Sequence, residues 1–435
     1  MFSFKIKEQD RQGWGDTALI TAGQWIHIVA FILGGILSEG LSLSGVVFCT
    51  LTGVLILLSC ACFMGTQSCK LGLSSTVISV NGLGIRGARF IPALLMTITS
   101  VGWFGVQAAV CGASFSVIMA EVLDVSVPAW AAALFWGLVM GVFVTQGYRV
   151  LRQFFYYITV PVLSVVVIYT AIHTAFFSDA GSLSALLAWR PVEPMSYAMG
   201  ITLVVGNWAM GAYVVGDYCR YTRKPRDVVL GISAGMIAAP VMVLTGAIFR
   251  IVTGSADIAA ILNNMGYPAV ALVFLILSTW AINVMNAYFG GIAFSVLLGF
   301  EEKSRKLSTA FTVIAGTALG AAGILSRFTD FLILLSCCMP PLIGVLAGAK
   351  IMNLLGRERK ADDNSIIPSK PIGGGGGGGE TRFLCPRDHR LRAGNAHRVA
   401  YHSGNSFFYP APQRDHCRDG GLYYSEKNAP VILMR

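Results

Sequence analysis

Along most of this chain, polar positions are confined to short gaps between apolar runs of about twenty residues. That is the length that carries an α-helix across a hydrocarbon core. Ten such runs are predicted, at about 17–38, 43–66, 91–120, 128–146, 153–177, 196–218, 229–250, 268–297, 308–325 and 328–352. The expected organisation is a polar N-terminus (1–16), a membrane core (17–352) and a polar tail (353–435). Met1 to Gly15 is polar, so no cleavable signal peptide is expected. The predicted class is an all-α integral membrane protein.

Composition supports this class: 55% of residues are hydrophobic and 12% charged, about half the charged share of an average soluble domain. The formal net charge of +10 could suggest a nucleic-acid partner, but its distribution points elsewhere. With the N-terminus in the cytoplasm, the inside segments through Lys360 carry nineteen basic residues. They are Lys5, Lys7, Arg11, Lys70, Arg86, Arg89, Arg149, Arg152, Arg220, Arg223, Lys224, Arg226, Lys303, Arg305, Lys306, Lys350, Arg357, Arg359 and Lys360. The outside segments carry three, Arg190, Arg250 and Arg327. This asymmetry predicts a multi-pass membrane protein with a cytoplasmic N-terminus, its basic residues oriented by the lipid bilayer rather than by nucleic acid.

The ten cysteines lack paired metal-site spacing and are read as small apolar residues, so neither a disulfide nor a metal is expected. From about residue 361 the text changes. Seven glycines, Gly373 to Gly379, precede a stretch rich in Arg and His with no apolar period. Two readings stay open: a cytosolic tail behind a glycine linker, or a shifted reading frame.

Candidate chemistry sits inside the apolar runs. Trp103 and Gln107 are four apart and share a helix face, pairing a stacking surface with an amide that can donate and accept. Gly102 and Gly105 beside them also suit plain helix packing. Gly206-Asn207-Trp208 repeats the amide–indole theme in a run interrupted by glycines, where transporters place their sites. Asn283 and Asn286 share a face of the eighth run and suit either a ligand edge or interhelical hydrogen bonding. His27, beside Gln24 and Trp25, is a candidate for proton coupling or a structural hydrogen bond, and Ser278 and Thr279 for a cation. Asp217 with Arg220 reads as an ion pair at a helix end. Pro340-Pro341 is predicted to break the tenth run, as a gate or as a plain kink. No phosphate-binding loop, nucleophile elbow or HExxH occurs, so neither a pump nor an enzyme is expected.

These motifs, with Gly34-Gly35-Ile36-Leu37-Ser38-Glu39-Gly40, Asp217-Tyr218-Cys219-Arg220-Tyr221, Trp280-Ala281-Ile282-Asn283 and Ser336-Cys337-Cys338-Met339-Pro340-Pro341, fall in the order seen in one family. Over about residues 15–360 the chain resembles the nucleobase–cation symporter-1 (purine–cytosine permease) family. The resemblance implies a leucine-transporter-type core of two inverted five-helix repeats, with substrate at the midplane between broken first and sixth spans. It implies stacking aromatics at Trp103 and Trp208, an amide reader at Gln107, Gly206 and Asn207 beside the ring, and an eighth-span amide at Asn283 or Asn286. The expected activity is secondary import of a nucleobase, cytosine first, or a related flat heterocycle by alternating access. No cofactor is implied beyond a coupling ion, H⁺ or Na⁺. Alternatives are an inactive or receptor-like permease and an amino-acid transporter of the same fold. Two departures stand out. Ala281 and Ile282 occupy positions where sodium-coupled members carry hydroxyls, and the family's last two helices are expected to be missing where the tail begins.

Overall fold

The computed structural model describes residues 11–144, 160–177, 183–191, 193–300 and 305–354. Among them every regular element is a helix, apart from a parallel bridge between Gln12 and Thr222. The helices are α1 (Trp14–Gly23), α2 (Ile28–Gly40), α3 (Leu43–Leu71), α4 (Ser75–Ile78), α5 (Val80–Leu123), α6 (Ala129–Val144), α7 (Val160–Phe177) and α8 (Leu183–Ala188). They continue with α9 (Tyr197–Cys219), α10 (Pro225–Met236), α11 (Ala238–Thr253), α12 (Ile258–Asn264), α13 (Pro268–Leu298), α14 (Arg305–Ala321) and α15 (Phe328–Leu354), the last preceded by a 3₁₀ turn.

Six stretches are long and apolar enough to cross a bilayer: α3, α5, α9, α10 with α11, α13, and Ile324–Met352. The pair α1 and α2, bent by 61°, makes a seventh if read as one span. The described residues therefore form the helical body of a multi-pass membrane protein, as expected where backbone in hydrocarbon must be internally bonded. The predicted fourth, fifth and ninth runs fall on the shorter α6, α7 and α14. Residues 145–146 and 153–159 of the fourth and fifth runs lie outside the described residues, as do residues 1–10 and the tail from 355.

Several boundaries differ from the apolar pattern for physical reasons. The third run was expected from residue 91, yet α5 starts at Val80 and includes Asn81, Arg86 and Arg89. Helical hydrogen bonding does not need apolar side chains outside the hydrocarbon, so the pattern shows only the immersed part. The helix kinks at Gly84 (φ 67°, ψ 176°) on its way in. Pro340-Pro341 does not end its helix, because α15 runs through both. Two missing N–H groups leave the carbonyls four residues back, Ser336 and Cys337, without those donors, but the flanking turns carry the helix on. Caps fall where the sequence allows them. Ser42 Oγ accepts from Gly45 N at 3.3 Å to start α3, and Gly72 ends it at φ 69°.

The most enclosed span is α9, with 78% of its apolar window inside the protein. It packs between α3 and α15, while α13 and α14 pack on α5, and α2 on α11. Large apolar side chains such as Phe48, Leu55, Trp130, Phe135, Val165 and Ile314 point outward, which suits a lipid-facing surface.

The start of α1 is fastened to the end of α9. Gln12 N donates to Tyr221 O at 2.7 Å, Arg223 N to Gln12 O at 3.0 Å, and Arg11 Nη1 to Thr222 O at 3.0 Å. The hydroxyls of Thr17 and Thr222 lie 2.9 Å apart, and those of Thr21 and Tyr218 3.1 Å. At the far end of the bundle, Arg250 of α11 meets Glu39 of α2 at 2.9 Å.

Candidate substrate site between two broken helices

The break between α1 and α2 falls at Gln24–His27. His27 adopts an extended conformation (φ −150°, ψ 158°) before α2 begins. The other break lies inside α9, where Trp208 alone leaves helical geometry (φ −130°, ψ 16°). The two breaks meet. Trp208 Nε1 donates to Gln24 Oε1 at 3.1 Å, and the rings of Trp25 and Trp208 lie 5.9 Å apart, tilted by 36°. Gly206 lets this part of α9 approach α15: a Cβ there would collide with the carbonyl of Leu332.

Across from the breaks, α5 supplies Trp103 and Gln107. Gln107 is fully buried and its Nε2 sits 3.4 Å from His27 Nδ1. Trp103 is 7% exposed and meets Phe328 and Phe331 of α15 edge to face, at centroid distances of 6.1 and 5.4 Å. Gly102 and Gly105 serve packing. A side chain on Gly102 would strike the Phe331 ring, and one on Gly105 would come 2.8 Å from Gly316 O.

Polar atoms around the breaks are unusually short of partners. Both amide atoms of Asn207, Gln107 Oε1, Gln24 Nε2 and Trp25 Nε1 are buried without a hydrogen-bond partner in the protein. Each such group costs about 1–3 kcal/mol when nothing compensates it, so a cluster marks a place where something else supplies the bonds.

The eighth-run candidates are arranged differently. Asn283 Nδ2 donates to Phe104 O at 3.2 Å and lies 3.3 Å from Met140 Sδ, while Asn286 Nδ2 donates to Asn283 Oδ1 at 3.1 Å. The pair thus ties α13 to α5 next to Trp103. The hydroxyls of Ser278 and Thr279 both donate to Leu275 O, at 3.2 and 2.7 Å, leaving only oxygen lone pairs for any cation. Asp217 accepts from Ser75 N at 3.1 Å, which fixes α4 to the end of α9.

The structure therefore brings His27 to Gln107, and Asn283 to Asn286. It adds Gln24 and Trp25 beside Trp208, and Phe328 and Phe331 beside Trp103, none of which the sequence reading placed in the site. A signal for the first two was present: Gln24-Trp25 repeats the amide–indole dipeptide of Asn207-Trp208. The same unit stands at both breaks.

The comparisons with known proteins agree with this architecture. The family described as permease for cytosine/purines, uracil, thiamine, allantoin matches residues 5–367. Cytosine permease of Escherichia coli (strain K12) is 27% identical over 349 residues, 80% of each chain. The inward-facing conformation of Mhp1 superposes with a TM-score of 0.73 at 19% identity, covering 85% of this chain and 82% of that one. Mhp1, a nucleobase-cation-symport-1 transporter, in a closed conformation with bromovinylhydantoin bound gives 0.67 at 19% identity, covering 84% and 83%. These two likenesses carry the fold, and the family match takes in every described helix. On that basis the chain belongs to the nucleobase–cation symporter-1 family, the permeases for cytosine/purines, uracil, thiamine and allantoin.

Proposed function

We propose that this family transporter imports a nucleobase, cytosine first among the candidates, or a related flat heterocycle. It does so by alternating access in the inner membrane, with its N-terminus cytoplasmic. Ten spans form its core, arranged as two inverted five-helix repeats. No cofactor is needed, and the driving ion is H⁺ or Na⁺.

The observation that supports this reading most is the set of unpartnered polar atoms on Gln24, Trp25 and Asn207 at the two breaks around Trp208, and on Gln107 against His27. A heterocycle with N–H and C=O groups on its rim supplies both kinds of partner while its faces contact aromatic rings. Trp103 and Trp208 are assigned to ring contact, Gln107 and Asn207 to the polar rim, and Gly206 to the clearance between α9 and α15. Asn283 and Asn286 act through the α5 backbone at Phe104, or by exchanging that bond for one to substrate. Ser278, Thr279 and His27 are the coupling candidates.

Labelled cytosine uptake into proteoliposomes under imposed proton and sodium gradients tests the proposal. Accumulation competed by nucleobases, and not by amino acids, is the expected result. Binding without accumulation would make the protein a receptor-like permease. Failure to bind or accumulate any nucleobase would end the reading altogether.

A further inference from the structure

The hydrogen bond between His27, just before α2, and Gln107 of α5 bears on which ligand edge the site accepts. Gln107 is fully buried, so its amide has a fixed rather than a solvent-averaged orientation. Its Nε2 faces His27 Nδ1 at 3.4 Å, and its Oε1 has no partner. His27 is itself buried, and its backbone is held in place at the break, with His27 N donating to Trp25 O at 2.9 Å. With the amino end of the amide toward Nδ1, that nitrogen is the acceptor and the ring N–H lies on Nε2, while the carbonyl end of Gln107 is the one left without a partner.

We infer that His27 is a positioning residue for specificity: it turns Gln107 so that the carbonyl oxygen faces the ligand, and the site selects a heterocycle that offers an N–H there. A free amide could rotate and accept either a donor or an acceptor edge. One held by His27 cannot, and a wrong edge leaves two acceptors opposed in a buried place. The inference rests on the heterocycle-site reading and adds to it a residue that acts on the ligand through another side chain.

The test measures binding of cytosine, uracil, hydantoin and their N-methylated derivatives to the purified full chain, by isothermal titration. His27→Leu removes the acceptor. His27→Asn keeps an acceptor near the position of Nδ1. Each is also combined with Gln107→Ala, and each variant's thermal unfolding is recorded. The ratio between the best-bound parent heterocycle and its N-methylated derivative should fall about tenfold in His27→Leu, the scale of one misdirected hydrogen bond. It should stay within about threefold of the unaltered protein in His27→Asn. In the Gln107→Ala background, His27→Leu should change that ratio no further, which a purely structural role would not produce. An unchanged ratio in His27→Leu, or an equal drop with and without Gln107, overturns the inference while leaving the heterocycle site intact. An unaltered protein that binds none of the panel overturns both. Should His27→Leu fail to fold, the Asn variant decides: loss of selectivity in a folded His27→Asn protein overturns the inference, and retention supports it.

Discussion

Gln24 and Trp208, 184 positions apart, share a 3.1 Å hydrogen bond that joins the break of one helix to the break of another. Each residue precedes or forms the point where its helix loses regular geometry, so the bond ties together two segments whose own backbones are least constrained. Trp208→Phe keeps an aromatic ring and removes the donor. Heterocycle affinity is expected to fall by about three- to tenfold, the range of one neutral hydrogen bond. Trp208→Ala and Trp103→Ala should each abolish binding while the protein still inserts. Titration with labelled cytosine in detergent checks all three, and full uptake of every nucleobase by both alanine variants would remove the aromatic contacts from the site.

Asn207 separates binding from stability. Both of its amide atoms are unpartnered and the residue is 5% exposed, so its polarity contributes nothing favourable to the ligand-free fold. Asn207→Ala should leave the thermal midpoint unchanged or raise it, and weaken heterocycle binding about tenfold or more. A fall in both together would show that Asn207 holds the fold instead.

Asn283 is the converse case. Its amide already bonds Phe104 O and receives Asn286, so Asn283→Ala leaves Asn286 without its acceptor. A loss of about 1–3 kcal/mol in stability is expected, seen as a lower thermal midpoint before any ligand is added. An unshifted midpoint would mean that this network does not support the helix pair.

Asp257 gives a pH dependence outside the spans. It caps α12, its Oδ1 accepting from Ala259 N at 2.9 Å and Ala260 N at 3.4 Å, while Ser114 donates to its other oxygen. Burial pushes its carboxyl above the usual carboxylate range, outweighing the hydrogen bonds from Ser114 and the two amides. A raised pKa in the folded state means the neutral form is favoured there. Its contribution is present below the unfolded value and declines as pH rises through the folded one. Asp257→Asn keeps the capping oxygen without the buried charge, so it should remove this decline with rising pH and hold or raise stability at pH 7. Asp257→Ala loses the cap and should cost about 1 kcal/mol. Unfolding midpoints from pH 4 to 7 test this: the Asn variant should gain stability relative to the unaltered protein as pH rises, and a relative loss with rising pH would contradict the sign.

Much of the helix layout was legible because a membrane helix must be apolar over its immersed length, and the runs around α3, α9 and α13 show little else. The break at Gln24–His27 was not marked in the same way. It is held by contacts to Trp208 and Gln107, from helices far away in sequence, and no local pattern records those partners. The face shared by Trp103 and Gln107 followed from spacing alone. Their partners did not: Phe328 and Phe331 look like any other apolar residues of α15 until the chain is folded. The proline pair misled for the opposite reason, since a local rule was overridden by the turns on either side.

The strap from Arg11 and Gln12 to Tyr221, Thr222 and Arg223 couples the two broken helices a second time, well away from their breaks. If α1 swings outward to let cargo pass, it must either drag the tail of α9 along as one lever or first unzip that strap. Unzipping exposes backbone groups that water alone would then have to satisfy. On such a motion, the few residues before α1 would decide whether the doorway opens as one leaf or two.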